Sequence, residues 1–308
     1  MNEVKRNLRG LLFVSPWLIG FLIFGLYPMA MAIYLAFTNY NILQPKNTTF
    51  TGLTNLTRLV NDALFWKSLG NTAWMTGVGV PLSVVIGLLI ALPLAQKMRG
   101  VDVYRTLIYL PTLVPPLVVT LLFLWILNPN YGLLKMPLEA MGIQSPGWLA
   151  DPLWAKPAIL IMVIWNTSGQ VMVITLAGLR DIPRHLYEAA EIDGAGTWNK
   201  FVHVTLPGLS PVLFYNILTG ILFFIQIFTQ AYAASVGGSG GGGSGQSLGA
   251  PVNSTLMLSL NIYKNAFVFW QAGYASMLSL VILVLSLGLA LIFFRYARRF
   301  VHYGFTGE

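Results

Sequence analysis

Cysteine is absent from the sequence, and charged residues make up only 9% of its 308 positions. Without cysteine, disulfides and thiolate metal sites are excluded. A soluble domain averages about 25% charged residues, so this lack of charge excludes an ordinary soluble fold. The chain is instead 56% hydrophobic, with a mean hydropathy of +0.69, which is typical of an integral membrane protein.

Asp, Glu, Lys, Arg and His are also missing from every long apolar run. Six runs reach the length of about 20 residues that a helix needs to cross a hydrocarbon core. They are Leu11–Phe37, Leu69–Ala95, Thr106–Leu127, Pro157–Leu179, Gly208–Ala234 and Ala272–Phe294. Because intramembrane charges mark proton relays and ion pathways, their absence argues against proton-coupled transport and against acid–base catalysis in the membrane. We expect no catalytic residue and no metal site.

The fold class that follows is all-α, an integral membrane bundle of six transmembrane helices. Twelve of the eighteen Lys and Arg residues fall on the side that holds both chain ends, which predicts cytoplasmic termini. This distribution explains the net charge of +8 without a nucleic-acid partner. The predicted organisation is a cytoplasmic tail (1–10), a six-span domain (11–294) and a second cytoplasmic tail (295–308).

Three connections on the predicted outer side have recognisable features. Apolar residues between Leu53 and Leu64 recur at helical spacing, which predicts a short helix at the outer interface. Trp148 and Trp154 suit interfacial anchors. A glycine-rich external loop covers residues 236–252, and its stretch 237–245 contains only Gly and Ser, which predicts a flexible coil. A natural loop and an engineered linker are both compatible with that stretch.

Polar side chains occur inside the fourth and fifth spans, beside aromatic ones. Amides near aromatic faces suit a polyol, whose hydroxyls need two-way hydrogen bonds and whose C–H faces need apolar contact. With no buried charge to pair with an ion, the solute is expected to be neutral. The candidate pathway residues are Asn166, Thr167, Gln170, Phe223 and Gln226. Ordinary packing and hydrogen bonding between helices is the alternative for each of them.

A cytoplasmic loop (180–207) holds a short acidic segment between the fourth and fifth spans. Asp181 as N-cap, Pro183 in the first turn and Gly194 as the stop predict a helix over Ile182–Asp193. Its small residues allow close approach of another surface, and its acids offer charged contacts. Pro207 is predicted to start the next span. The segment has the features of a docking helix for a partner outside the membrane.

These motifs resemble the permease subunits of binding-protein-dependent ABC importers, in the carbohydrate-uptake branch of the maltose and glycerol-3-phosphate permeases. The signature loop is matched by Glu188-Ala189-Ala190, Asp193-Gly194-Ala195, Phe201, Leu206-Pro207 and Pro211. Further matches are Ser15-Pro16, Tyr27-Pro28, Phe37-Thr38-Asn39-Tyr40, Phe65-Trp66, Asn71-Thr72, Arg105-Thr106, Leu110-Pro111, Trp148-Leu149 and Leu176-Ala177-Gly178-Leu179. The resemblance covers nearly the whole chain and implies the fold of a type I ABC importer permease.

The resemblance implies a set of partners and coupling residues. It implies a second permease, two copies of a cytoplasmic ATPase that bind ATP and Mg, and an external solute-binding protein, at a bacterial or archaeal inner membrane. No cofactor is implied in this chain. The coupling residues carried over are Glu188, Ala189, Ala190, Asp193, Gly194 and Ala195.

The chain departs from the family pattern at two places. Gly249-Ala250-Pro251 stands where the family has Gly-Gly-Pro, and Gly220, Phe223 and Phe224 stand where the maltose permease has sugar contacts in the fifth span. Maltose itself is therefore not assumed. A stand-alone secondary transporter or channel is the alternative function, and a membrane-embedded enzyme lacks the paired nucleophile and base it would need.

Overall fold

The computed structural model describes residues 13–96, 98–238 and 248–300. Its architecture is all-α, as predicted, and within the described residues the only strand-like pairing is one isolated bridge, Thr38 to Phe50. The helices are α1 (Phe13–Ala36), α2 (Thr54–Asn61), α3 (Ala63–Leu94), α4 (Val101–Leu113), α5 (Pro116–Ile126), α6 (Lys135–Ala140), α7 (Pro152–Asp181), α8 (Arg184–Ile192), α9 (Thr197–Ile225), α10 (Thr229–Gly238), α11 (Leu258–Tyr263) and α12 (Ala272–Phe300).

Five of the described helices are long and apolar enough to cross a membrane, and a sixth span is counted if the pair α4 and α5 is taken as one. The prediction of six apolar membrane segments is confirmed in this sense. The first span, described from Phe13, ends at Ala36, one residue before its predicted end. The fourth begins five residues earlier than predicted, at Pro152, and the sixth begins at Ala272 as predicted and ends six residues later, at Phe300. The second begins at Ala63, six residues earlier than predicted. Only Asp62 therefore separates it from α2.

The third span is not the single helix predicted over Thr106–Leu127. It consists of α4 and α5, which are bent by 99° at a break of two residues. Val114 and Pro115 have extended backbone conformations there, since a residue before proline is disfavoured in the helical region and proline has no N–H. The carbonyls of Pro111 and Val114 accept hydrogen bonds from the Asn166 side chain at 2.7 and 3.1 Å.

The fifth span also differs from the prediction of Gly208–Ala234. Helix α9 begins at Thr197 and continues past Pro207, because a π-helical turn over Phe201–Thr205 joins its two parts. It ends at Ile225, and α10 follows as a separate helix. The Ile227 carbonyl in the break accepts a hydrogen bond from Ser259 Oγ at 2.7 Å. Pro207 therefore lies inside a helix and does not start one.

The chain divides into two compact units. One contains the residues up to Asp62 together with Asn261–Leu283. In it, the short helix predicted between Leu53 and Leu64 is confirmed as α2, and its position on the outer side stays a prediction. The Asn55 side chain of α2 donates to the carbonyls of Ala36 and Thr38 at 2.8 Å each. Arg58 donates to Gln271 at 2.7 Å.

The second unit contains Ala63–Leu260 and the chain from Val284 onward. Its centre is formed by α3, α7 and α9, and small residues let these helices approach closely. The Phe224 ring of α9 lies against Gly79 of α3, and Val171 of α7 lies against Gly87, so a Cβ at either glycine would clash. These contacts set the spacing of the three helices.

The glycine-rich stretch 237–245 is described only at its start. Residues 237 and 238 are the last two of α10, so the predicted coil does not include them. The prediction for residues 239–245 lies outside the described part of the chain. Trp148 and Trp154 form an edge-to-face pair with ring centroids 5.2 Å apart, and their role as membrane anchors stays a prediction.

Candidate translocation cavity and coupling helix

A cavity of about 260 Å³ lies between α3, α7 and α9. Its described lining contains hydroxyls, amides, aromatic rings and aliphatic side chains, and none of these residues is charged. The lining residues are Ser83, Thr167, Gln170, Val171, Ile174, Asn216, Thr219, Gly220, Phe223 and Phe224. This mixture of neutral polar groups and aromatic surface can hydrogen-bond a neutral polyhydroxylated molecule and contact its C–H faces.

Three of the five predicted pathway residues line this cavity: Thr167, Gln170 and Phe223. The Thr167 hydroxyl donates to the Val163 carbonyl of its own helix at 2.9 Å, so its lone pairs remain to accept from a solute. Gln170 is exposed and makes no hydrogen bond within the described part of the chain. Its amide can both donate and accept, which makes it the best-placed group for a hydroxyl.

The other two predicted pathway residues, Asn166 and Gln226, do not line it. Asn166 is buried and gives its amide hydrogens to the two carbonyls at the α4–α5 break. The packing alternative therefore explains Asn166, because a polar side chain of a neighbouring helix satisfies the freed backbone groups. Gln226 is the C-cap residue of α9, beyond the cavity, and its side chain is exposed.

Two aromatic rings of α9 form one wall of the cavity. Phe223 is 42% exposed, whereas Phe224 is 2% exposed. Their rings are perpendicular, with centroids 5.7 Å apart, which is a favoured aromatic geometry. Since Phe224 is fixed against Gly79, it holds Phe223 in position as the accessible ring.

Ser83 is a lining residue that no sequence pattern indicated. It lies in the middle of an apolar run, and its hydroxyl donates to the Val80 carbonyl at 2.9 Å. Asn216 and Thr219 were recognisable as polar residues of the fifth span. Asn216 is buried and donates to Thr175 at 3.2 Å, so it joins α9 to α7 as well as lining the cavity.

Helix α8 is the predicted docking helix, with corrected bounds. It runs over Arg184–Ile192 and not from Ile182, because Pro183 restricts Ile182 to an extended conformation. Pro183 occupies the N-cap position, and Asp181 is the last residue of α7. The predicted N-cap role of Asp181 and the first-turn position of Pro183 are therefore wrong.

The predicted stop at Gly194 is confirmed. Gly194 has a φ of +76°, its N–H donates to the Glu191 carbonyl at 3.0 Å, and the Ala195 N–H donates to the Ala190 carbonyl at 2.8 Å. This pair of bonds is the Schellman arrangement, in which glycine takes the left-handed residue because a Cβ is unfavourable there. The chain reverses within three residues and enters α9.

The α8 helix has no buried residue. Its exposed face includes the predicted Glu188 and Ala189, followed by Asp193 and Gly194, whereas Ala190 and Ala195 are half-buried. Ile192 is 87% exposed at the end of this face. This exposed isoleucine offers apolar surface beside the acidic residues, which the sequence prediction did not include.

Two acidic side chains of α8, Glu188 and Glu191, form ion pairs with basic residues of the same chain. Arg184 pairs with Glu188 at 3.0 Å, and Lys200 pairs with Glu191 at 2.8 Å. The hydrogen bond from Lys200 and the attraction of its charge hold the pKa of the Glu191 carboxyl below its ordinary value of 4.5. The second pair joins α8 to the start of α9, and the Tyr187 and Thr205 hydroxyls, 3.0 Å apart, make a second link.

A bundle of apolar helices with an uncharged polar cavity and an exposed helix between two spans is typical of a membrane transport permease. The chain belongs to the family of binding-protein-dependent transport system inner membrane components, whose model matches residues 83–302. The matched segment contains the cavity residues and the whole of α8. The chain is thus a multi-pass membrane permease.

Two relatives cover almost the whole chain. The probable ABC transporter permease protein YesP of Bacillus subtilis (strain 168) is 35% identical over 302 residues, 97% of this chain and 93% of that protein. The lactose transport system permease protein LacF of Rhizobium radiobacter is 35% identical over 303 residues, 96% of this chain and 97% of that protein. The resemblance to ABC importer permeases of the carbohydrate-uptake branch is confirmed.

The fold has a close counterpart among solved structures. A chain of a bacterial alginate ABC transporter, crystallised with an alginate pentasaccharide-bound periplasmic protein, superposes with a TM-score of 0.80. It covers 96% of this chain and 96% of that chain at 21% identity. This likeness confirms the predicted all-α importer permease fold.

Proposed function

We propose that this chain is one of two permease subunits of an ATP-driven importer for a neutral sugar or polyol-like solute. The observation that carries the proposal is the cavity between α3, α7 and α9, whose described lining is polar and uncharged. Gln170 and Thr167 would hydrogen-bond the solute's hydroxyls, and Phe223 would contact its C–H face. The name of the relative LacF supports a sugar.

Energy would enter through α8 from two copies of a cytoplasmic ATPase, which would bind ATP and Mg. Support comes from the exposure of Glu188, Ala189 and Ile192 at the end of the molecule predicted to be cytoplasmic. The rigid turn at Gly194 and the Lys200–Glu191 bond connect α8 to α9. A force on α8 is therefore transmitted to α9, which carries one wall of the cavity.

The remaining partners of the proposed assembly are a second permease and an external solute-binding protein. The family description, binding-protein-dependent transport, supports the second of these. In the proposed orientation both chain termini are cytoplasmic, and the beginnings of α3 and α7 face outward. Alternating access would open the cavity first to the outer side and then to the cytoplasm.

Uptake energetics test this proposal. A strain lacking the gene, with and without the gene restored, is given a panel of labelled neutral and acidic saccharides. We expect restored uptake of a neutral saccharide that fails when arsenate depletes ATP and persists when a protonophore removes the proton gradient. Uptake that follows the proton gradient would overturn the proposal in favour of a stand-alone secondary transporter.

A further inference from the structure

An apolar groove lies between α9 and α12, toward the end of α12. Its larger part is a cavity of about 460 Å³, whose lining includes Phe214 and Ile217 of α9 and Phe293 of α12. A second cavity, of about 380 Å³, shares Ile217 and Phe293 with the first and continues along α12 to Leu285. The two connected cavities, here called the α9–α12 groove, therefore extend from Leu285 to Ala297, a rise of about 18 Å along the helix.

The polar groups of the larger cavity are few, and a cation adjoins them. Ser210 and Tyr296 carry hydroxyls, whereas the rest of its lining is apolar. Arg295 precedes Tyr296 on α12, and its side chain is exposed. Among the described residues, no carboxylate lies within ion-pair distance of Arg295. The sequence continues with Arg298 and Arg299, so the α9–α12 groove has an apolar body and a basic, hydrogen-bonding end.

The size of the groove fits one acyl chain of a membrane lipid. A single leaflet is half of the hydrocarbon core, about 15 Å deep, which is close to the length of the groove along α12. Ile292 and Tyr296 of the lining are 52% and 49% exposed, so the groove is accessible from outside the chain. A helix of a partner protein is about 10–12 Å wide with its side chains. It would cover the groove without filling it, whereas an acyl chain can lie inside.

We propose that the α9–α12 groove binds an anionic phospholipid, with one acyl chain between the helices and the phosphate beside Arg295 and Tyr296. A guanidinium donates strong hydrogen bonds to phosphate oxygens, the Tyr296 hydroxyl can donate another, and tyrosine is favoured at the headgroup level. Basic pockets between transmembrane helices on the cytoplasmic side recognise acidic headgroups in this way. The predicted orientation places the end of α12 in the cytoplasmic leaflet.

A lipid in this groove would support the helix that carries one wall of the translocation cavity. The Phe214 ring of α9 lies against Phe293 and Phe294 of α12, with centroids 6.3 and 5.9 Å apart. Asn216, two residues after Phe214, lines the translocation cavity. An acyl chain beside the three rings adds dispersion contacts on another side of α9. Membrane composition can therefore act on the position of α9 without contacting the solute.

Photocrosslinking in nanodiscs tests the lipid site. The photoreactive residue p-benzoylphenylalanine replaces Ile292, and the purified assembly is placed in equal amounts of phosphatidylglycerol and phosphatidylethanolamine with identical acyl chains. Mass spectrometry then counts the two lipid adducts. We expect about a fivefold excess of phosphatidylglycerol, which is the contribution of one cation near the headgroups. The same probe at Leu287, which is exposed on α12 and lines neither cavity, should crosslink both lipids about equally.

Variants of the cation test the headgroup assignment. Arg295→Gln should remove the excess of phosphatidylglycerol adducts at Ile292, whereas Arg295→Lys should retain most of it. Arg99→Gln is the matched control, because it removes an exposed cation from the turn between α3 and α4. It should leave the excess unchanged.

Three results would overturn the lipid site. They are a crosslink from Ile292 to the second permease in place of lipid, equal adducts of the two lipids, and an excess that persists in Arg295→Gln. The first would assign the groove to a subunit interface, and the second would leave only an unselective apolar contact. Both leaflets of a nanodisc have the same composition, so the outcome does not depend on the predicted orientation. Recovery of an ATPase and a second permease is scored separately, and their absence would count against the proposed importer and not against the lipid site.

Discussion

The ring of Phe224 on α9 occupies the space that a side chain at Gly79 on α3 would fill. This contact fixes the distance between α3 and α9, two of the three helices that enclose the candidate translocation cavity. It also orients the neighbouring Phe223 ring on the cavity wall. The lack of a side chain at Gly79 of α3 therefore determines where the two phenylalanine rings of α9 lie on the cavity wall.

Gly79→Ala is expected to destabilise the purified assembly by about 1–3 kcal/mol, because the new methyl group displaces Phe224 from a packed position. The measurement is the thermal midpoint in detergent, with solute uptake as a second readout. Gly77→Ala is the matched control on the same helix. A Cβ at Gly77 meets no atom within 4 Å, so its midpoint should stay the same or rise slightly. Equal effects at both glycines would contradict the packing role of Gly79.

Gln170 and Asn166 are expected to respond differently to alanine, although they are neighbouring amides of one helix. Gln170→Ala removes a free cavity amide and should raise the solute concentration at half-maximal uptake about tenfold, with unchanged stability. Asn166→Ala leaves the Pro111 and Val114 carbonyls without their partner and should cost about 1–3 kcal/mol of stability. Gln226→Ala should alter neither quantity, since Gln226 lies outside the cavity.

Two residues of the α8–α9 turn separate coupling from local folding. Gly194→Asp places a side chain at a φ of +76° in the turn that ends α8, and it adds a charge there. We expect normal membrane insertion but loss of uptake and of solute-stimulated ATP hydrolysis in the assembly. The control Gly196→Asp adds the same charge at the N-cap of α9, where φ is −68° and aspartate is favoured. In this variant the ATPase should still be recovered with the purified chain. Normal uptake in Gly194→Asp would refute the coupling role.

The Lys200–Glu191 bond is expected to make the α8–α9 junction sensitive to acid. The pKa of Glu191 is lowered in the folded state, so its contribution is present above the ordinary value of 4.5 and is lost as the pH falls through the lowered value. Hydrogen exchange at Gly194 and Ala195, corrected for intrinsic rates, should show protection above the ordinary value of 4.5 and a loss of protection as the pH falls further below it. Glu191→Gln should show low protection throughout; an acid response that persists in this variant would assign it to another group.

The sequence predicted the apolar spans and the existence of helix α8 because both depend on local patterns. Long stretches without charge identify spans whatever their tertiary contacts, and a glycine after an acidic helix predicts its stop. Two of the errors in helix bounds arise where proline restricts the residue before it. Pro115 divides the third span, and Pro183 delays the start of α8.

The function of individual polar residues was less predictable. Asn166 and Gln170 are both amides of α7, but their side chains leave the helix in different directions. Asn166 contacts the backbone break between α4 and α5, whereas Gln170 lines the cavity. The Asn71 side chain donates hydrogen bonds to the carbonyls of Asn253 and Leu256 and accepts one from Lys156, so it joins positions separated by 85 or more residues. Local patterns carry no information about contacts over such separations.

The composition of the purified assembly tests the central claim most directly. The chain is tagged, extracted in mild detergent from its own cells and analysed by native mass spectrometry. An ATP-driven importer predicts one copy of this chain with one second permease and two copies of an ATPase, and loss of the ATPase when Gly194→Asp is introduced. A stable single chain that transports solute after reconstitution without ATP would contradict it.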